Sequence, residues 1–247
     1  MVSHTVTDAR WIRYVLMALA LTVGAWDSVP AQDAGAPGAG RRGAPQAADP
    51  TQQAVDRAVA IYERREFARA ERAFGSLVAR GVPAAAYNLG VMHLRGEAAH
   101  PDPRAGLRLL TRAAEQGFVT AQVALGQGWE GGRFGPVDLA AAQHWYRRAA
   151  VAGSVEAQLA MGTAHYLGRG ETKDAAQAAN WYREAAKGGD VGAQYLLASM
   201  YEQGDGVARD LRLARYWYDA AARNGDDAAP LKVREIDARL EAATRPP

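Results

Sequence analysis

From Ala85 onward, small and apolar residues return with a helical period nested inside a longer one. The segments AAYNLGVMHLRG, AQVALGQGWEGG, AQLAMGTAHYLG and AQYLLASMYEQG begin at Ala85, Ala121, Ala157 and Ala193, each 36 residues beyond the last. With these alanines as position 1, the small or apolar residues at positions 1, 2, 5, 6, 9 and 12 share one stripe of a 3.6-residue period, which predicts a first helix. Glycine at position 12 (Gly96, Gly132, Gly168, Gly204) ends it as a left-handed C′ residue. Aspartate at position 18 (Asp102, Asp138, Asp174, Asp210) suits the N-cap of a second helix, where its carboxylate accepts from free backbone N–H groups. Recurrence once per unit marks these aspartates as structural caps and not as a catalytic acid pair. Pro103, directly after Asp102, fits the first helical position. The second helix carries Trp, Tyr and an Ala-Ala pair at positions 25, 26, 29 and 30 before glycine at position 33 closes it. Small residues at 1, 6, 29 and 30 let two helices approach closely, and tryptophan is expected to fill the space that remains.

The flanks extend the helical pattern. QQAVDRAVAIYERREFARAERAFGSLVARG predicts helices over 52–64 and 66–80, so residues 51–83 read as a degenerate helix pair capping the array. Leu231, Ile236 and Leu240 predict a capping helix within 229–247. At the other end, Arg10 and Arg13 precede an uncharged run from Tyr14 to Trp26, with Val29 and Ala31 bracketing Pro30. That run is well short of the ~20 residues a membrane-spanning helix needs, so residues 1–31 read as a secretory signal peptide, with an N-terminal inner-membrane anchor as the alternative. Residues 32–50, rich in Ala, Gly, Pro and Gln, read as a disordered linker. The expected fold class is all-α, a right-handed α/α solenoid of about eleven helices with four 36-residue repeats over 84–228.

The order A-Q-x-x-[LM]-G, G-x-G, Asp, A-x-x-W-Y-x-x-A-A, Gly resembles the Sel1-like repeat, a relative of the tetratricopeptide repeat. Repeat three (AQLAMGTAHYLGRGETKDAAQAANWYREAAKGG) matches nearly end to end. Repeat one departs with Leu109-Leu110 in place of Trp-Tyr, repeat two with Phe134 in place of the second glycine of G-x-G, and repeat four with Ala198 in place of glycine. The pair over 51–83 is similar to a degenerate tetratricopeptide unit. The resemblance implies a scaffold role, such as controlling sensor kinases, exopolysaccharide production or envelope assembly. Some cysteine-rich Sel1-like proteins are associated with β-lactam binding or hydrolysis, and this chain has no cysteine.

Composition narrows the chemistry further. A net charge of +2, from 29 basic and 27 acidic residues, does not call for nucleic acid. The absence of cysteine excludes a disulfide framework, a thiolate metal site and a thiol nucleophile. Of the 26 glycines, thirteen fall at repeat positions 6, 12, 14 and 33, so an excess over the roughly 7% of average proteins marks punctuation of helices and not disorder. None of the serines lies in G-x-S-x-G or S-x-x-K. The text G-x-G-x-x-G at Gly126–Gly131 lies inside a predicted helix with no strand before it, the wrong context for a dinucleotide. His93 and His165 share position 9 with Trp129 and Tyr201, so they read as half-buried ring replacements. No catalytic residue, metal ligand or cofactor is expected.

What remains is a surface. Positions 3, 4, 7, 10 and 11 of each first helix face away from the packed stripe. They predict a partner-binding groove lined by Tyr87, Asn88, Val91 and Arg95, by Val123 and Gln127, by Leu159, Thr163 and Tyr166, and by Tyr195, Leu196 and Ser199. The row Tyr87, Val123, Leu159, Tyr195 is apolar throughout; contact of these residues with a neighbouring helix is the alternative left open. The function expected is a non-enzymatic periplasmic scaffold in a Gram-negative envelope that binds a protein or peptide in this groove. An envelope hydrolase acting on β-lactam or peptidoglycan fragments is the alternative, and it lacks a nucleophile–base pair.

Overall fold

The computed structural model describes residues 49–244. The expected leader over 1–31 and nearly all of the linker lie outside that range. Among the described residues are eleven helices: α1 (Pro50–Glu63), α2 (Phe67–Ala79), α3 (Pro83–Arg95), α4 (Pro103–Glu115), α5 (Val119–Glu130), α6 (Leu139–Val151), α7 (Val155–Leu167), α8 (Ala175–Lys187), α9 (Val191–Gln203), α10 (Leu211–Arg223) and α11 (Ala229–Thr244). They belong to two compact units, one running to Leu125 and the other starting at Gly126. The linker expected through residue 50 stops short of it, because Asp49 accepts from Thr51 N–H and Pro50 already opens α1.

Helix boundaries follow the repeat grid. Each of Asp102, Asp138, Asp174 and Asp210 accepts a backbone N–H of the second helix it precedes, at 2.8–3.0 Å. Each first helix ends in a left-handed glycine, with φ between 70° and 80° at Gly96, Gly132, Gly168 and Gly204. In three units the loop is pinned again where the aspartate N–H reaches back to the position 9 carbonyl: Asp138 to Trp129, Asp174 to His165 and Asp210 to Tyr201. In the first unit Asp102 N–H donates to the Nδ1 of His93 instead.

Packing is tightest at the alanines. Ala85, Ala121, Ala157, Ala193 and Ala229, all position 1 on the 36-residue grid, are 0% exposed, as are Ala113, Ala149, Ala185 and Ala221 at position 29. Ala229 shows that α11 is the first helix of a fifth unit. Its Arg234 and Asp237 stand at positions 6 and 9, where a second helix would pack. Asp237 pairs with Arg215 of α10.

The core of the first unit joins Val55, Ala58, Ala70, Phe74, Leu77, Ala85, Leu89 and Met92. There α3 and α4 cross backbone against backbone: a Cβ on Gly90 would stand 2.9 Å from the Gly106 carbonyl oxygen, and one on Gly106 would stand 2.8 Å from that of Gly90.

In the second unit the most deeply buried ring is tyrosine, not tryptophan. Tyr182 and Tyr218 are 1% exposed and Tyr146 is 3%, whereas Trp181 and Trp217 are only half-buried; Trp145 is buried too, at 9%, under the Arg148 guanidinium, 5.2 Å from its ring centroid. Tyrosine lies one residue further round the helix, directly over position 6 of the first helix. Trp217 lies at the edge of two clusters, that of Ala178, Tyr182 and Leu197 and that of Tyr195, Ala214 and Ile236.

Candidate protein-binding face

Polar groups that recur with the repeat are consumed by the fold. Position 2 glutamine is the clearest case. Gln122, Gln158 and Gln194 donate Nε2–H to the carbonyls of Ala114, Ala150 and Ala186 at 3.0–3.2 Å, stapling each first helix to the end of the preceding second helix. The expectation that position 2 serves as part of an apolar stripe is therefore corrected. The long amide is buried because it satisfies a helix-terminal carbonyl that would otherwise lack a full complement of donors. Position 34 caps the next first helix: Ser154 accepts from Ala157 N–H, Asp190 from Ala193 N–H at 2.6 Å, and Asp226 from Ala228 and Ala229 N–H.

The expected groove residues divide by depth. Tyr195 is 2% exposed, Leu196 and Thr163 6%, Val123 8% and Val91 9%, so no partner touches them in this conformation. The row at position 3 is therefore not an open apolar row. Tyr195 meets Tyr218 edge to face with ring centroids 4.9 Å apart, and Thr163 accepts from the Tyr182 hydroxyl at 3.3 Å. Tyr195 and Thr163 look outward on a helical wheel, but the tyrosine of the second helix is long enough to reach their face.

Tyr87, Asn88, Gln127, Leu159, Tyr166 and Ser199 are half-buried, and Arg95 is exposed. In the first unit Tyr87 tilts against Phe118 at 5.5 Å, Asn88 donates to the Ala84 carbonyl, and Arg95 donates to the Tyr62 hydroxyl, which itself donates to Glu97. In the second unit Gln127 donates to Glu156, the Tyr166 hydroxyl donates to Asp205 at 2.9 Å, and Gln203 donates to Ser199 at 3.0 Å.

The second unit adds carboxylates to this face: Glu130 and Glu202 at outward position 10, where the helical pattern places them, and Glu156 and Asp190, which that pattern does not single out. The Tyr146 hydroxyl donates to Glu130 and the Tyr218 hydroxyl to Glu202, both at 3.0 Å. Burial, followed by the adjacent carboxylate charge, raises the pKa of both tyrosines above the ordinary phenol value. Burial and the bond to Asp205 push Tyr166 up to about 12. Glu156 is open to water on one side, yet desolvation holds its carboxyl above the ordinary glutamate range. Desolvation also raises Asp190. Glu156 stands in the first turn of α7 and Asp190 in the loop before α9, ahead of the outward rows; stepping back three and four residues from positions 3 and 4 would have found Glu156.

Among the described residues no group of three His, Asp or Glu side chains is placed to hold a metal ion. His165 is buried against the Thr172 carbonyl, and His93 receives a loop N–H, so both act within the fold. The stretch Gly126–Glu130 is helix, and Gly128 owes its missing side chain to Phe134, whose ring occupies the place of a Cβ.

Helix pairs recurring every 36 residues, capped, stapled and free of strands among the described residues, define an all-α repeat protein of the α/α solenoid class. The Sel1 repeat model matches residues 83–118, 119–154, 155–190 and 191–226. The chain belongs to the Sel1 repeat family. Its structure is similar to that of a Sel1 repeat protein from Oxalobacter formigenes, at 30% identity and a TM-score of 0.65 over 73% of this chain and 74% of that one. It is also similar to c5321, a protective antigen present in uropathogenic Escherichia coli strains displaying an SLR fold, at 29% identity and a TM-score of 0.67. That likeness takes in 75% of this chain but only 41% of the c5321 chain. No curated protein matches the chain. Sel1 repeat proteins generally mediate protein–protein interaction and are typically non-catalytic. Among the described residues no helix is long and apolar enough to cross a membrane.

Proposed function

We propose that this chain is a non-catalytic interaction scaffold of the Gram-negative periplasm, binding a segment of an envelope protein along the first-helix face of its repeats. The observation that carries the reading is a division of labour among side chains. The recurring polar residues are spent on caps and staples, whereas the residues that vary from unit to unit, Leu159, Tyr166, Ser199 and Glu156, stand on the first-helix face. A constant frame with a variable face is how repeat proteins present a binding surface. The leader-like pattern over 1–31 supports export.

The test is photo-crosslinking in intact cells, with benzoylphenylalanine at Leu159 and, as a control on the second-helix face, at exposed Ala176. One discrete protein adduct from position 159 and none from 176 is the expected result. Equal adducts at both positions, or none at 159, would overturn the proposed face.

A further inference from the structure

The outward face of α7 is half-open and mixed in character. Leu159 and Tyr166 are half-buried, Leu167 is 36% exposed, and Glu156 begins the same face at the helix N-terminus. Asp190 and Asp205, from the loops before and after α9, flank it: Asp190 lies close enough to Glu156 for its charge to be felt there, and Asp205 accepts from Tyr166.

Elsewhere in this unit, most carboxylates that do not cap a helix are matched to cations. Glu130 pairs with Arg169 at 3.5 Å, Glu171 pairs with Arg147, and Glu202 takes both Arg239 at 2.7 Å and Lys232 at 3.6 Å. Along α7 that matching stops. Glu156 is held by the neutral amide of Gln127, Asp190 by backbone N–H and Asp205 by a phenol; among the described residues no ion pair reaches any of the three. A partly desolvated carboxylate without a counter-charge is costly, and a cation arriving with a partner relieves that cost. Beside it, Leu159, Tyr166 and Leu167 offer the apolar contact that the aliphatic stem of lysine or arginine uses.

Resting on the scaffold reading above, we propose that the occupant of the α7 face is an amphipathic peptide segment carrying lysine or arginine, its cations on Glu156 and Asp190 and its apolar side chains on Leu159 and Leu167. Charge complementarity chooses this partner over an acidic or purely apolar segment.

A phage-displayed library of random dodecapeptides, panned on the full chain, tests it. Selected peptides should be enriched in Lys and Arg over the unselected library. Their binding should weaken by about fivefold or more in a Glu156→Gln, Asp190→Asn double variant, with a similar loss at high salt. Asparagine keeps the α9 cap, and an unchanged circular-dichroism melt verifies the fold of the variant. Selected peptides without Lys or Arg enrichment that still lose binding on Leu159→Ser would overturn the basic partner and leave the face standing. Peptides indifferent to Leu159→Ser, or no selected peptide at all, would overturn both.

Discussion

A Cβ placed on Gly162 would stand 2.6 Å from both Cδ1 and Cε1 of Tyr182, so the tyrosine ring lies directly on the backbone of the first helix. The same distance separates such an atom on Gly126 from the ring of Tyr146. Repeat one meets the same need with Leu110 over Gly90, and repeat four keeps the tyrosine over Ala198 while Tyr195 braces the ring from the side. Positions 6 and 26 thus form a coupled pair that fixes how closely the two helices of a unit approach.

Gly162→Ala should destabilise the chain by about 1–3 kcal/mol, the usual cost of overpacking a rigid site. Because the clash is with the Tyr182 ring, the cost should shrink in a Tyr182→Leu background, giving a non-additive double-mutant cycle. Urea unfolding of the four proteins measures it; strict additivity would show that the ring does not limit the helix spacing.

Exposure separates the members of each Trp-Tyr pair. Tyr182→Ala removes a ring that is 1% exposed and should cost about 3–5 kcal/mol, the range for deleting a large buried aromatic. Trp181→Ala, at a half-buried position, should cost clearly less. Thermal melts of both variants decide the order, and a larger loss from Trp181 would reverse the assignment of the core ring.

Much of this architecture was legible in the sequence, because periodicity and punctuation are local signals. Aspartate before a helix, glycine after it and the 36-residue step located eight of the helices on the grid, and Leu231, Ile236 and Leu240 located the last. The tetratricopeptide-like pair supplied the other two, with boundaries off by one or two residues: the expected 66–80 is Phe67–Ala79. The groove was less legible. Tyr195 and Thr163 look outward on a wheel, yet they are buried, and a helical wheel carries no information about how far a tyrosine from the other helix reaches. Similarly, Gln158 reads as a polar residue on an apolar stripe until the carbonyl of Ala150, eight residues back in the chain, is found beside it. Long side chains that bridge two helices are where sequence pattern and structure part.

The glutamine staple has its own test. Gln158→Leu keeps the volume but removes the donor to the Ala150 carbonyl, and should cost about 1–3 kcal/mol as a helix-terminal acceptor loses a buried partner. Gln158→Glu should cost more, because a carboxylate would face that carbonyl oxygen without a hydrogen to share. Denaturation midpoints in the order wild type, Leu, Glu support the staple; equal midpoints would mean that water replaces the amide.

The stability of the chain should rise before it falls as pH is lowered. Desolvation raises Glu156 above the ordinary glutamate value of 4.5 and Asp190 above the ordinary aspartate value of 3.8. Their folded forms therefore bind protons at a higher pH than the unfolded chain does. Stability gained this way is absent at neutral pH, grows as pH falls through the raised values, and is complete below the ordinary ones. Glu66, held down by Arg64, Asp102, held down by the Ala105 N–H, and Asp237, held down by Arg215, act in the opposite sense. Their contribution is present above the ordinary carboxylate values and is lost as pH falls through the depressed ones. The melting temperature should accordingly climb as pH falls from neutral toward the ordinary carboxylate values, and drop once pH falls below them. Glu156→Gln should flatten the climb and leave the drop in place. A melting temperature that declines steadily from pH 7 in both proteins would show that Glu156 carries no desolvation cost.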